Sequence, residues 1–254
     1  MVLAIDIGNT HITMGAFSED TLVFVARLAT DSQKTEDEYA SGMLNLLSLH
    51  GVDRTSVKGA IISSVVPTLN IIIKKAVKLI CGIESLIVAP GIKTGINIRC
   101  DTPSSVGSDI ICACVAAHYI YGSPSLIVDM GTATKMMVVD GRGAFIGVSS
   151  MPGVMMGLRA LSSGTAQLPR VGLDAPPSVI GKNTVDCMKS GAVFGNASMI
   201  DGMIERFNAE YGEDLKVYAT GGFSSSIVKH CKYKITLDAD MVLKGLNLIY
   251  KFNK

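Results

Sequence analysis

The stretch that decides the fold is Val2-Leu3-Ala4-Ile5-Asp6-Ile7-Gly8-Asn9-Thr10. Its apolar start predicts a strand that is covered on both faces, and the residues from Asp6 onward predict a tight polar exit. Gly8 lets backbone N–H groups approach a bound anion, and the Asp6 carboxylate can hold a hydrated Mg2+. The side chains of Asn9 and Thr10 add uncharged hydrogen-bond partners. A hairpin turn with a solvated Asp6 is the alternative interpretation.

A second stretch repeats this pattern near the middle of the chain: Ser125-Leu126-Ile127-Val128-Asp129-Met130-Gly131-Thr132-Ala133-Thr134. An apolar strand again leads to an acid, then to a glycine and small polar residues. Such self-similarity predicts an internal duplication, with one domain over residues 1–118 and the other over residues 119–254. Duplicated halves commonly share a cleft, so we expect both turns to face phosphate groups there.

Each repeat leads into further strands and then helices, which predicts an α/β fold. Apolar periodicity predicts helices over residues 35–49, 67–81, 105–121, 152–163, 184–210 and 240–252. The expected N-caps are Asp31 or Ser32 for the first of these helices and Ser104 or Ser105 for the third. The buried stripe expected on the third helix consists of Val106, Ile110, Cys114 and Ala117. Residues 165–182 have no periodicity and could form a lid or a dimer contact.

The composition is that of a well-packed α/β protein, with 48% hydrophobic and 18% charged residues. A formal net charge of +1, without a basic run, predicts no nucleic-acid or membrane partner. The start of the chain is unlike a signal peptide because Asp6 interrupts the apolar run. The six cysteines lack C-x-x-C spacing and are interpreted as reduced thiols of a cytoplasmic protein. Scattered histidines predict no transition-metal site.

A third glycine turn, Thr220-Gly221-Gly222, follows a strand in the second half. It suits an adenosine, which needs close backbone approach, although a plain strand-to-helix turn is the alternative. Together with the acid–glycine turns it predicts phosphoryl transfer from a nucleotide. That reaction needs positioning, cations and one carboxylate that accepts the proton of the attacking hydroxyl. Asp109 is the candidate base, and its alternative role is to complement the dipole of its helix.

These motifs resemble those of the type III pantothenate kinases, members of the acetate and sugar kinase, Hsp70 and actin superfamily. The resemblance covers essentially the whole chain. Residues 6–10 with Gly15 resemble the first phosphate motif of the family, residues 129–134 the second, and residues 220–222 the adenosine turn. Gly107-Ser108-Asp109 matches most of the family's substrate motif, in which the Asp is the proposed base.

The resemblance implies two ribonuclease-H-like domains of the actin-like ATPase fold, ATP, Mg2+, a monovalent cation (K+ or NH4+) near Asp129, and a homodimer. The implied reaction is phosphorylation of pantothenate to 4'-phosphopantothenate, the first step of coenzyme A biosynthesis, with Asp109 as the base. Asp6 would hold the divalent cation through water. The residues implied to bind ATP are Asp6, Gly8, Asn9, Thr10, Thr13, Gly131, Thr132, Gly221 and Gly222. The residues implied to bind pantothenate are Cys100, Gly107, Ser108, Asp109, Ile110, Thr165 and Thr184.

The chain departs from the family pattern at four places. One is residues 147–153, Gly-Val-Ser-Ser-Met-Pro-Gly, where the family has G-G-x-I-x-P-G. Ile110 stands where the family has Arg after the proposed base, Cys100 replaces a Tyr, and Lys135 replaces the Thr that usually ends the second motif. Ile110 removes a planar cation whose charged hydrogen bond to a substrate carboxylate would contribute about 1.5 to 3 kcal/mol. Two alternatives to a pantothenate kinase are therefore a nucleotide-binding paralogue with weak or no kinase activity and a kinase for another small hydroxylated acceptor.

Overall fold

The computed structural model describes all 254 residues and divides the chain into two compact units. Unit 1 comprises residues 1–120 together with residues 241–254, and unit 2 comprises residues 121–240. The first boundary lies beside the predicted one at 118/119. The last helix was predicted to belong to the second domain, but it packs in unit 1.

Unit 1 is built on a five-stranded sheet with the order β3-β2-β1-β4-β5. Its strands are β1 (Val2–Ile7), β2 (His11–Ser18), β3 (Thr21–Ala29), β4 (Gly59–Ser64) and β5 (Ser85–Ile87). β1 pairs antiparallel with β2 and parallel with β4, so it lies at the centre of the sheet. This position explains its apolar sequence, because both of its faces are covered.

The two faces of β1 meet different helices of unit 1. Leu3 and Ile5 pack in the same cluster as α1 (Glu36–Leu49) and α2 (Pro67–Cys81). Ala4 packs on the opposite face, in the cluster that includes α3 (Ser108–Ala116). Side chains alternate along a strand, so Asp6 shares the α3 face with Ala4.

The predicted caps of α1 and α3 are wrong. Thr35 caps α1 in a reciprocal arrangement with Glu38, whereas Asp31 accepts a hydrogen bond from the backbone N–H of Gln33 in a turn of its own. The third helix begins later than predicted, because residues 103–105 form a separate 3-10 turn and Gly107 occupies the N-cap position.

The predicted buried stripe of α3 is correct for Cys114 and Ala117, which are buried, and wrong for its other two residues. Val106 and Ile110 are only half-buried, whereas every residue from Ile111 to Ala116 is buried. The helix is covered on most sides because it packs between the sheet and another helix, so no single apolar stripe describes it. A π-helical segment, Ala117–Tyr121, follows it.

Unit 2 repeats the sheet of unit 1, with the order β10-β9-β6-β7-β8. Its strands are β6 (Ser125–Met130), β7 (Ala133–Val139), β8 (Phe145–Pro152), β9 (Lys216–Thr220) and β10 (Ile235–Leu237). β6 pairs antiparallel with β7 and parallel with β9, as β1 pairs with β2 and β4. The equivalent strand orders confirm the predicted duplication.

The helices of unit 2 are α4 (Val154–Gly164), α5 (Thr184–Ser190), α6 (Asn196–Tyr211) and α7 (Ser224–Ile227). α5 and α6 are joined by the π-helical segment Gly191–Gly195, so the predicted long helix contains a local widening. Asn183 caps α5 by accepting a hydrogen bond from the N–H of Asp186 at 2.9 Å. Residues 165–182 form no helix or strand, as predicted.

The final helix, α8 (Met241–Phe252), completes the core of unit 1. Gly245 lies directly against the carbonyl group of Cys112 in α3, at a place where any Cβ atom would overlap that carbonyl. Asn247 is buried and donates a hydrogen bond from Nδ2 to the carbonyl oxygen of Glu19 at 2.8 Å, in the turn between β2 and β3. No helix in the chain has the length and apolar character needed to cross a membrane.

Candidate active site

The acid–glycine turn of unit 1 follows β1 as predicted. The N–H of Gly8 donates to the carbonyl oxygen of His11 at 3.0 Å, and the hydroxyl of Thr30 donates to the carbonyl oxygen of Gly8 at 2.7 Å. These bonds close the turn and leave Asn9 and Thr10 exposed at its tip. The tip therefore presents small polar side chains and backbone to solvent.

Asp6 lies beside the carboxyl end of β4. Its neighbours in the sheet register are Thr13 on β2 and Ser63 on β4, and both Asp6 and Thr13 are half-buried. The Ser63 hydroxyl, which is fully buried, lies 2.9 Å from the hydroxyl of Ser108. The Ser108 hydroxyl also accepts a hydrogen bond from the N–H of Ser64 at 2.8 Å. These contacts fasten the first residue of α3 to the end of β4, next to the strand that carries Asp6.

Asp109 is the second residue of α3, and one of its carboxylate oxygens accepts a hydrogen bond from the N–H of Ile110 at 2.8 Å. Asp6 is the register neighbour of Ser63, and the Ser63 hydroxyl contacts Ser108, so α3 begins beside Asp6. The Cys112 thiol of α3 is fully buried on the same face of the sheet. Burial raises its pKa well above the ordinary value, the carboxylates of Asp6 and Asp109 raise that pKa further, and a hydrogen bond with Ser63 opposes them. The fold therefore brings Asp6 and Asp109 to the same side of unit 1.

Ser63 and Cys112 were not predicted as parts of this arrangement. Ser63 could have been recognised as a polar residue near the end of an otherwise apolar strand, β4. The remaining predicted residues of unit 1 lie on the approach to α3: Cys100 is half-buried in the preceding loop, Gly107 is the N-cap, and Ile110 is half-buried. Position 110 contributes no charge.

The acid–glycine turn of unit 2 is closed in the same manner. The N–H of Gly131 donates to the carbonyl oxygen of Ala133 at 3.1 Å, and Thr132 is exposed at the tip. Asp129 pairs in register with Thr220 on β9, so the third glycine turn begins beside it. The second acid–glycine turn and the third glycine turn are therefore neighbours in unit 2.

Gly221 packs against the strand that carries the second acid. Its φ is +92°, and a Cβ atom there would lie 2.6 Å from the carbonyl carbon of Met130 and 2.7 Å from a carboxylate oxygen of Asp129. The N–H of Phe223 donates to the Met130 carbonyl oxygen at 3.2 Å and holds the two segments together. Gly222 is exposed and has nothing near its absent side chain. A residue with a side chain at position 221 would therefore push the two segments apart.

A basic side chain already pairs with Asp129. The Lys135 ammonium lies 3.2 Å from its carboxylate, and only 17% of the Lys135 side chain and 15% of the Asp129 side chain are exposed. The two residues face each other across the β6–β7 hairpin. Opposite charges flanking a short turn at facing positions are the sequence signal that could have revealed this pair. The carboxylate that the family resemblance implies as the holder of a monovalent cation is therefore paired with an ammonium group in this structure.

The two threonines predicted to contact an acceptor lie on other parts of unit 2. The Thr165 hydroxyl donates to the carbonyl oxygen of Leu161 at 2.7 Å at the end of α4. Thr184 is the exposed first residue of α5, next to the cap formed by Asn183. Neither residue is on the strands that carry the acid–glycine turns.

Comparison with known proteins identifies a relationship along the whole chain. The sequence profile of the type III pantothenate kinases matches residues 2–206. The type III pantothenate kinase of Halalkalibacterium halodurans is 40% identical over 253 residues, and that of Brevibacillus brevis is 41% identical over 254 residues; each alignment covers 100% of both chains.

The fold has relatives among solved structures. The activator of the 2-hydroxyisocaproyl-CoA dehydratase from Clostridium difficile, solved with bound ADPNP, aligns with a TM-score of 0.56 at 11% identity, covering 99% of this chain and 94% of the activator. This likeness confirms the predicted actin-like ATPase fold with duplicated ribonuclease-H-like units. The profile match and the two full-length relatives show that the chain belongs to the type III pantothenate kinase family.

Proposed function

We propose that this chain phosphorylates pantothenate to 4'-phosphopantothenate with ATP, the first step of coenzyme A biosynthesis. Its family membership supports this activity through relatives that match from end to end. The observation within the molecule that carries the proposal is that Asp6 lies beside Ser63, whose hydroxyl contacts Ser108, the residue before Asp109, on one side of unit 1. One carboxylate at a strand exit and another in the first turn of a helix can serve different roles in phosphoryl transfer.

Asp109 is proposed as the base that accepts the proton of the pantothenate hydroxyl. The contacts that join Ser108 to Ser63 and Ser64 hold the first turn of α3 in place, so its carboxylate is positioned before substrate arrives. Gly107 and Ile110, which flank this pair of residues, and Cys100 in the preceding loop are proposed to line the acceptor pocket. Within unit 2, Thr165 and Thr184 are proposed to contact pantothenate.

The glycine turns are proposed to bind ATP. Gly8, Asn9, Thr10 and Thr13 would contact phosphate in unit 1, and Gly131 and Thr132 would do so in unit 2, with Gly221 and Gly222 against the adenosine. Backbone N–H groups in such turns suit anionic oxygens. The half-buried carboxylate of Asp6 retains access to solvent and suits a hydrated Mg2+. Bound Mg2+ neutralises charge on the phosphates during transfer.

Replacement of Asp109 by Asn tests the assignment of the base. We expect ATP-dependent formation of phosphopantothenate to fall about 10²- to 10⁴-fold, because general-base catalysis contributes that much, while ATP affinity measured by calorimetry is retained. Asp37→Asn is the matched control, since Asp37 is an exposed acid in the first turn of α1. Turnover of Asp109→Asn equal to that of Asp37→Asn would exclude Asp109 as the base.

The uncharged Ile110 favours testing other acceptors in the same experiment. ADP release should be measured with pantothenate and with a panel of small hydroxylated acids. Turnover with another acceptor alone would indicate a kinase of different specificity. ATP binding without ADP release in any reaction would indicate the nucleotide-binding paralogue.

We also propose that the chain acts as a homodimer. Large apolar side chains are exposed in two segments of unit 2: Met156 and Leu161 of α4 are each 45% exposed, and Val179 and Ile180 of the irregular segment are 64% and 77% exposed. Exposed apolar groups of this kind are common at interfaces between subunits. Light scattering should give twice the chain mass, and Ile180→Asp should lower the measured mass.

The free cysteines support a cytoplasmic location, where thiols stay reduced.

A further inference from the structure

We propose that Lys135 is a built-in counter-charge for the ATP phosphates and makes a free monovalent cation unnecessary in this protein. The cation that the family resemblance implies near Asp129 would need the carboxylate of that residue. In this structure the carboxylate is bound to the Lys135 ammonium at 3.2 Å. The inference rests on the proposed binding of ATP at the second acid–glycine turn.

The position of the ammonium follows from the hairpin. Lys135 is the direct cross-strand partner of Asp129, so its side chain rises on the same face of the sheet. A carboxylate oxygen of Asp129 in turn lies against Gly221. The positive charge is therefore held at the end of the sheet where the turns containing Gly131 and Gly221 meet.

The negative charges of Asp129 and of the ATP phosphates explain why a positive charge is needed beside Asp129. An unpaired Asp129 carboxylate would repel the phosphates of ATP at a turn that otherwise offers N–H donors. The Lys135 ammonium carries the same single positive charge as K+, and it has three N–H donors, so it can bind the carboxylate and a phosphate oxygen together. Its covalent tether also removes the need to recruit an ion from solution.

Calorimetric titration with Mg-ATP tests this role without depending on catalysis. Wild-type protein should bind ATP with the same affinity in tetramethylammonium chloride and in KCl of equal ionic strength. Lys135→Thr should bind about 10- to 100-fold more weakly in tetramethylammonium chloride, the cost of losing one charge-assisted hydrogen bond. K+ should restore most of that loss, because it can then occupy the vacated place beside Asp129.

Lys216→Thr is the matched control. Lys216 is an exposed lysine in β9 of the same sheet and pairs with Ser125, at the opposite end from Asp129. The Lys216→Thr variant should bind ATP with wild-type affinity in both salts. Rescue by K+ confined to Lys135→Thr would distinguish a counter-charge from a structural role, which K+ could not replace.

Two results would overturn the proposal: stronger ATP binding by the wild type when K+ is added, or wild-type affinity of Lys135→Thr in tetramethylammonium chloride. The wild-type comparison needs no variant, so it holds even if Lys135→Thr fails to fold. ATP binding that is independent of K+, without phosphorylation of pantothenate, would refute the proposed function. It would leave the role of Lys135 as a counter-charge intact. Absence of ATP binding in both salts would refute both.

Discussion

Gly221→Ala should destabilise unit 2 because the added Cβ atom is unfavourable in two ways, through backbone strain and through steric overlap. An alanine at a φ of +92° occupies left-handed backbone, at about 1 to 2 kcal/mol. Its Cβ would also lie 2.6 Å from the Met130 carbonyl carbon and 2.7 Å from Asp129, and backbone displacement of this kind costs about 1 to 3 kcal/mol. The free energy of unfolding should therefore fall by about 2 to 5 kcal/mol in total.

Gly222→Ala provides the control for this substitution. Gly222 has open space around it and no left-handed φ, so an alanine there should be neutral or stabilising by up to about 1 kcal/mol. Urea unfolding followed by far-ultraviolet circular dichroism measures both variants. Equal unfolding midpoints for Gly221→Ala and Gly222→Ala would refute the argument that the second acid and the third glycine turn are packed in direct contact.

The remaining predictions concern unit 1. Ser108→Ala should lower the free energy of unfolding by about 1 to 3 kcal/mol, because the Ser64 N–H loses its acceptor; an unchanged urea midpoint would contradict this. Burial raises the pKa of the thiols of Cys112 and Cys114, so iodoacetamide should modify the exposed Cys187 and spare both in the folded protein, as peptide mass mapping would show. Unfolded thiols lose their protons near pH 9 while the buried ones keep theirs, so stability should fall as pH rises above about 9; a urea midpoint that is constant from pH 8 to about 10.5 would contradict it.

The central strands were predictable because their environment is simple. A strand covered by helices on both faces must be apolar throughout, and an acid followed by glycine at its end stands out against that background. β1 and β6 satisfy this condition, and so the duplication and both turns could be found from the sequence. The bounds of α2 were equally accessible, since Pro67 opens it with a preset backbone angle.

The start of α3 could not be predicted from local signals. Ser104 and Ser105 are good caps by residue type, but the helix begins where the Ser108 hydroxyl reaches Ser63 and Ser64 on a strand far away in the sequence. Tertiary hydrogen bonds of this kind leave no local pattern. The pairing of Lys135 with Asp129 differs, because the two opposite charges flank one short turn and the hairpin register makes them neighbours.

The packing of α8 on α3 has a consequence for biosynthesis. Residues 121–240 separate α8 from the rest of unit 1 along the chain, so a ribosome completes unit 2 before it delivers the helix that unit 1 lacks. Until then the surface of α3 around Cys112, which Gly245 later covers, remains open to water or to a chaperone. We therefore expect nascent unit 1 to stay incompletely folded while unit 2 emerges, and the whole chain to gain its protease resistance only when α8 docks.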